Sequence, residues 1–409
     1  MERRRRILDE LRAKGATFAD IREESLEVEV LEIEGDQRAK NWSYRTGVQV
    51  RGLFGGNWGV TISDDLHHVS SDQVVATALG HEKINIVRLR PARFKWVETS
   101  DDELWAVVEG LKSEIGVSKV KLYKERHSKK YLSTEDREIE LNWNMFLTEL
   151  SIGQGSLHKI VRRIGGLRPP SFSELKRIVE EASELIRVLK AEPKKHVRVG
   201  SVLMSPESVA TVTLHWLNRV YPEPPSELNL EEEVGPSSLE IRDVPVPKEF
   251  PTVSPVPVDD EGVEGRELRI VHKGILEEIG TDRYSSAYYG IRPTGNGRAA
   301  SFKDPISAHP RNIVIECGKE ETAISSELVE GEAYMNHVWS IASAGRSLVV
   351  TGEGMSEGQP SLIEITLEAS RPFSYLSTCS KERRTLPVNT KGLWVTLSTP
   401  SMLLSRATD

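Results

Sequence analysis

Residues 205–221 read SPESVATVTLHWLNRVY. Ser205 can cap a helix, Pro206 suits its first position, and Glu207 favours the positive end of the dipole. Val209, Val212, Trp216 and Val220 recur at helical spacing and predict one buried stripe. Tyr221-Pro222 ends the helix. One histidine, His215, sits near its end. On its residues alone the helix carries shape. A zinc-binding helix needs two ligands on one side and a carboxylate beside the first. His215 is followed instead by Trp216, Asn218, Arg219 and Val220.

Upstream, Met1 to Arg6 is basic, but no apolar run follows, so it reads as a helix start rather than a secretory signal. Ile7, Leu8 and Leu11 form its buried side and Gly15 stops it. Between Ser25 and Asp65 three strand-like runs are separated by Gly35-Asp36 and Gly55-Gly56-Asn57, which predicts an antiparallel meander. Ser70 to Leu79 reads as a helix. Ser100-Asp101-Asp102-Glu103 is a capping box for another, with Leu104, Trp105, Val108 and Leu111 buried. Val117 to Leu150 returns to strands. Ser171 to Leu189 is the clearest helix, with a capping box at Ser171 and Glu174 and an apolar stripe through Leu175, Val179 and Ala182. Residues 191–195, AEPKK, read as a hinge.

Downstream of the opening helix, residues 221–257 hold nine of the 21 prolines, with Glu231-Glu232-Glu233 among them. Leu228, Leu230, Leu239, Ile241 and Phe250 are apolar anchors, so this segment is expected to drape over a surface. From Arg266 onward short strands are separated by glycines. The fold class is therefore α+β. An N-terminal α+β half with an antiparallel sheet and flanking helices is expected over 1–194. A β-rich half, curled or barrel-like, is expected around the central helix over 195–409.

Composition narrows the function. The chain has 409 residues and a net charge of −8, which argues against a general nucleic-acid binder. No apolar run is long enough to span a membrane. Two cysteines, Cys317 and Cys379, allow at most one disulfide, and a reducing cytoplasm is the simple reading. His67-His68 beside Asp64-Asp65 reads as a solvated loop. No Ser-His-Asp arrangement is recognisable in the chain order.

Three stretches remain. Asp259-Asp260-Glu261-Gly262 reads on its residues as an acidic turn, His272-Lys273-Gly274 as a hairpin turn, and Thr294-Gly295-Asn296-Gly297 as a glycine-rich loop without the flanking strand and helix of a nucleotide site. In this order and spacing they resemble the TldD/PmbA family, also called TldD/TldE. Ala19-Asp20-Ile21-Arg22, Gly47 to Arg51 and Gly55 to Gly59 are similar to the family's N-terminal pattern, so the resemblance runs from about residue 16 to about residue 300.

The resemblance implies a precise comparison. In the catalytic TldD branch the central helix carries His-Glu-x-x-x-His, and a cysteine near the C-terminus completes a zinc site. His215 matches the first histidine. Trp216 stands at the glutamate and Val220 at the second histidine, while Cys379 falls about where the family's cysteine does. His215 and Cys379 are thus vestigial candidates, and no metal or catalytic residue is expected in this chain. The resemblance is closer to the non-catalytic TldE/PmbA branch. It implies a cytoplasmic heterodimer with a TldD-type catalytic subunit, zinc in that partner, and unfolded peptides as substrates. A stand-alone metallopeptidase with atypical ligands and a regulatory or adaptor protein are the alternatives. Asp259, Asp260, Glu261, Gly262, Thr294, Gly295 and Asn296 are expected either to hold a loop or to face a shared chamber.

Overall fold

The computed structural model describes residues 2–80, 83–99, 117–153, 160–188, 195–226, 229–317 and 333–405. The helix expected after Ser100, and Leu228, lie outside the described residues.

The first sheet is built from β1 (Phe18–Glu34), β2 (Gln37–Phe54), β3 (Asn57–Ser63), β4 (Ala92–Glu98), β5 (Val117–Ser133), β6 (Arg137–Ile152) and β7 (Ile160–Gly166). Its order is β3-β2-β1-β5-β6-β4, with β7 also on β6. The pairings are antiparallel except β4 on β6. The turns fall at Gly35-Asp36 and Gly55-Gly56 as the sequence predicts, but the strands run much further than the apolar runs. Opposite charges across the ladder support the polar stretches: Glu27 pairs with Arg126, Glu32 with Lys119 and Lys121, and Glu29 with Lys40.

Three helices flank this sheet. α1 (Glu2–Ala13) buries Ile7, Leu8 and Leu11 against Ala19, Ile21, Val48 and Val50. α2 (Ser71–Ala76) has the capping box of Ser70 and Gln73 but ends before Leu79, which is exposed. α3 (Phe172–Val188) buries Leu175, Val179 and Ala182 against Leu122 and Phe146. Its capping box forms as expected: Glu174 N–H donates to Ser171 Oγ at 3.3 Å and Ser171 N–H to Glu174 Oε2 at 2.7 Å.

The second sheet has eleven strands. They are β8 (Lys195–Arg198), β9 (Ser201–Met204), β10 (Leu239–Asp243), β11 (Leu268–His272), β12 (Ile275–Leu276), β15 (Asn312–Cys317), β16 (Ala333–Ala344), β17 (Ser347–Ser356), β18 (Gln359–Glu368), β19 (Leu376–Thr390) and β20 (Leu393–Ser405). β13 (Gly297–Arg298) and β14 (Ser307–Ala308) pair separately. The order β12-β11-β10-β15-β20-β9-β16-β17-β18-β8, with β19 also on β20, does not return on itself. The curled or barrel-like half is therefore an open sheet among the described residues. Its terminal strands are too short to close it, having two and four residues.

Residues 195–204 hold two strands, β8 beside β18 and β9 between β20 and β16. The proline-rich stretch is draped as expected and contributes β10, with Leu239 and Ile241 buried, but Leu230 is exposed. His272-Lys273-Gly274 does form a hairpin turn, with Val271 opposite Leu276 and positive φ at Lys273 and Gly274.

The central helix, α4 (Pro206–Leu217), packs on β16 and β20. Ser205 Oγ accepts from Ser208 N–H at 3.1 Å and donates to the Asn336 carbonyl at 2.6 Å, which fixes the cap to the sheet. The helix stops at Leu217, before Tyr221-Pro222.

Candidate functional site

The central helix turns the positions that matter most into the core. Trp216 is 2% exposed and Val220 0%. The Trp216 indole packs edge-on against Phe373, with centroids 5.8 Å apart, and its Nε1–H donates to the Ser370 carbonyl at 3.1 Å. An indole with its one polar group satisfied is a stable core residue. His215 is half-buried and forms no ion pair among the described residues. Cys379 is buried in the same core as Trp216 and Val220 and is bonded to Cys317, the one disulfide that two cysteines allow.

A zinc ion needs thiolate, imidazole or carboxylate ligands, typically four around the ion. The helix offers one imidazole, an indole and an isopropyl group, and the cysteine is already bonded to sulfur. These residues do not fit a zinc site. Among the described residues no group of three His, Cys, Asp or Glu is arranged to hold a metal.

The acidic loop lies elsewhere, where the two sheets meet. All three carboxylates are buried. Asp259 is turned inward on backbone: Oδ1 accepts from the N–H groups of Glu261 and Val263 at 2.9 Å each, and Oδ2 from Gly297 at 2.8 Å. Burial and the neighbouring Glu261 charge push Asp259 up against those three donors. Asp260 reaches across to the first sheet. Its Oδ1 takes Lys129 Nζ at 2.6 Å, Arg22 Nη1 lies 3.8 Å from Oδ2, and Ala299 N–H donates to Oδ2 at 2.9 Å. Burial alone would raise Asp260, but Lys129 and Arg22 outweigh it and hold the carboxyl at about 2.

Glu261 has the opposite balance. Its Oε2 accepts from Arg283 N–H at 2.6 Å and Oε1 lies 3.5 Å from Arg51. Burial and Asp282 push it up to about 7 although Arg51 and Arg283 pull it down. Arg51 is itself held by Asp20 at 2.5 and 3.0 Å. Gly262 completes the turn. It adopts φ +74°, and an ideal Cβ there would stand 2.5 Å from the Tyr131 ring, so only glycine fits. Its carbonyl accepts from Arg137 Nε at 2.7 Å.

The glycine-rich loop is fastened to the same region. Gly297 bonds Asp259 and Asp260, while Thr294 Oγ1 donates to Asn296 Oδ1 at 2.8 Å. Asn296 Nδ2 donates to Asp243 Oδ2 at 2.8 Å, and Tyr221 Oη donates to the same oxygen at 2.6 Å. Arg311, wholly buried, bonds Asp243 and the Gly295 carbonyl. A phosphate cradle needs free backbone N–H groups. Here the Gly297 N–H is spent on Asp259, and the carbonyls of residues 294–297 accept from protein donors.

The structure thus joins Asp259 to Gly262 with Thr294 to Asn296, and keeps His215 and Cys379 apart from them in the core of the second sheet. His67 and His68 are exposed on a 3₁₀ turn. Arg22, Arg51, Lys129, Arg137, Arg283, Asp243 and Arg311 were missed as members of this network. Arg22 and Arg51 lie inside the N-terminal stretches that carried the family resemblance. Charged residues alternating with apolar ones there read as a strand with one solvent face, so the pattern did not mark these charges as buried.

The fold and the loop network define a chain of mixed α and β structure built on two open sheets. A model described as the PmbA/TldA metallopeptidase C-terminal domain matches residues 221–365. A zinc metalloprotease TldD homolog from Saccharolobus solfataricus is 29% identical over 342 residues, covering 78% of this chain and 76% of that one. TldE from Thermococcus kodakarensis superposes with a TM-score of 0.73 at 15% identity over 98% of both chains. A protein from Thermotoga maritima described as a modulator of a DNA gyrase gives 0.72 at 16% identity, over 99% of this chain and 98% of that one. Residues 221–365 thus match the family's C-terminal domain, and the chain as a whole is similar in sequence and fold to TldD/PmbA proteins.

Proposed function

We propose that this chain is a non-catalytic, TldE/PmbA-like subunit of a heterodimeric zinc metallopeptidase. Its partner would be a TldD-type subunit that holds the zinc and cleaves unfolded peptides. The observation that carries the reading is the packing of Trp216 and Val220 into the core, where the catalytic branch has a glutamate and a histidine, with Cys379 tied to Cys317. The likeness to a chain named TldE supports it. The name of the Saccharolobus relative speaks for the family, and the residues of the helix speak for the branch.

In this reading the chain shapes the chamber and performs no proton transfer. Its open sheet leaves the outer edge of β8 free of a ladder partner among the described residues, whereas residues 231–234 already bond the outer edge of β12. A free edge can take an extended peptide through main-chain hydrogen bonds.

The test is purification of the chain alone and with a TldD-type partner, followed by zinc analysis and cleavage of an unfolded peptide. The pair should cleave and the chain alone should not. Stoichiometric zinc and cleavage by the chain alone would establish a stand-alone peptidase instead. Failure to associate with any TldD-type subunit would point to a regulatory or adaptor role.

A further inference from the structure

Beside the Lys129–Asp260 bond, between the two sheets, lies a cavity of about 370 Å³. That is the size of a small-molecule site, and such sites favour the junction of structural units. β5 supplies one wall, with Glu125, His127 and Lys129 alternating onto one face. The His127 ring lies parallel to Trp143, centroids 4.5 Å apart, and its Nε2 is 2.9 Å from Glu125 Oε2. Phe302 forms another wall. Its ring lies where a side chain at Gly47 would stand, 2.1 Å from an ideal Cβ, so the glycine admits the ring onto the sheet. Trp394 lines a third side.

Two polar groups on this cavity, the Ser254 hydroxyl and Arg45, lack a partner among the described residues, and a third, Glu24, is ion-paired but lacks a well-formed hydrogen bond on one oxygen. Ser254 is 3% exposed and its Oγ has no hydrogen-bond partner. Glu24 Oε1 is buried without a well-formed hydrogen bond, although Arg22 Nε is 3.2 Å and Lys129 Nζ 3.5 Å away. Arg45 is exposed and forms no ion pair among the described residues. Glu24 stands opposite Gly47 and Arg45 opposite Leu26, which makes Glu24 and Arg45 diagonal neighbours on one face of the β1–β2 ladder, about 7–8 Å apart.

We propose that this cavity binds a free α-amino acid with a flat apolar side chain. The ligand's ammonium meets Glu24, its carboxylate meets Arg45, Ser254 takes a remaining hydrogen bond, and the ring lies among Phe302, Trp143 and Trp394. Charge selects this class. The lining carries four carboxyls (Glu24, Glu125, Asp259, Asp260) and three cations (Arg45, Lys129, Arg298), and burial beside Glu261 pushes Asp259 toward its neutral form, which leaves a balance that matches a ligand of no net charge. A phosphate would face those carboxylates, and a purely apolar ligand would leave Ser254 and Glu24 desolvated. The inference rests on the cavity alone and stands or falls apart from the peptidase-subunit reading.

The test is calorimetric titration of the full chain, without a partner, with L-tryptophan, L-phenylalanine, tryptamine, indole-3-propionate and L-alanine. Tryptophan or phenylalanine should bind with a Kd below about 1 mM. Tryptamine, which lacks the carboxylate, indole-3-propionate, which lacks the ammonium, and alanine, which lacks the ring, should each bind at least about tenfold more weakly. Glu24→Gln and Arg45→Glu should each weaken the aromatic amino acid about tenfold or more. Arg45 is exposed, so its variant decides the matter if Glu24→Gln fails to fold. The proposal is overturned if neither aromatic amino acid binds by about 10 mM, if the truncated analogues bind equally well, or if Arg45→Glu leaves the affinity unchanged.

Discussion

Asp260 and Lys129 meet at 2.6 Å across 131 residues of sequence, and their bond links the loop after β10 to the middle of the first sheet. Arg22 adds a second cation to the same carboxylate. Removing one partner of a buried pair strands the other, which costs more than the pair itself contributes. Asp260→Asn should lower stability at neutral pH by about 2–4 kcal/mol. Urea unfolding measures this, and a loss below about 0.5 kcal/mol would mean that the contact is incidental.

Glu261 gives the same junction a pH dependence of opposite sign to an ordinary ion-paired acid. Its folded pKa is raised from 4.5 to about 7. Below about 4.5 both folded and unfolded chains hold the proton. Between about 4.5 and about 7 the unfolded chain has released it and the folded chain has not, so this group's contribution falls as pH rises. Above about 7 the loss is complete, at about 3 kcal/mol. Glu261→Gln should therefore stabilise the protein at pH 8 relative to the parent and leave it little changed at pH 4.5. Equal effects at both values would contradict the assigned burial.

The central helix should not accept the catalytic residues of its relatives. Trp216→Glu with Val220→His places a carboxylate and an imidazole in a closed apolar core and removes the indole that packs on Phe373. The double variant should lose more than about 4 kcal/mol and express largely unfolded. Circular dichroism and zinc analysis check this together. A folded, zinc-loaded double variant would show that the core can rebuild the site.

Reduction should weaken the second sheet. Cys317 and Cys379 are 62 residues apart, and cross-linking a loop of that length contributes about 4 kcal/mol on the chain-entropy account. Thermal unfolding with and without dithiothreitol, and of Cys379→Ser, should show matching drops in Tm. No drop under either condition would mean that the thiols are not joined in solution.

Helices were legible because their signals are local. Ser171 with Glu174, and Ser205 with Pro206, mark their starts within four residues. Strand lengths were not legible. Residues 40–46, KNWSYRT, lie where both faces of β2 are exposed and only Trp42 and Tyr44 alternate, and the charged run SKERRT hides the middle of a fifteen-residue strand, β19. β4 and β7 were missed although Phe94 and Trp96, and Ile160 and Ile164, alternate along them. Of the candidate site, the acids were visible and their partners were not. Nothing near Asp259 in the chain announces that Arg22, Arg51 and Lys129 will be folded against it, because pairing of β1 with β2 and β5 is what gathers those cations. The bonding of Cys379 to Cys317 was equally hidden. It depends on where β15 and β19 fall around β20.

The junction between the sheets also bears on how the chain can be divided. Arg22, Arg51, Lys129 and Arg137 belong to the first sheet, and Asp259, Asp260, Glu261 and the Gly262 carbonyl to the second half. A fragment ending near residue 194 would carry cations that had lost their counter-charges, and the complementary fragment would carry carboxylates in the same condition. Each half serves as the solvent for the other's charges. Expressed separately, the two pieces should be poor folders, and mixing them should recover structure that neither holds alone.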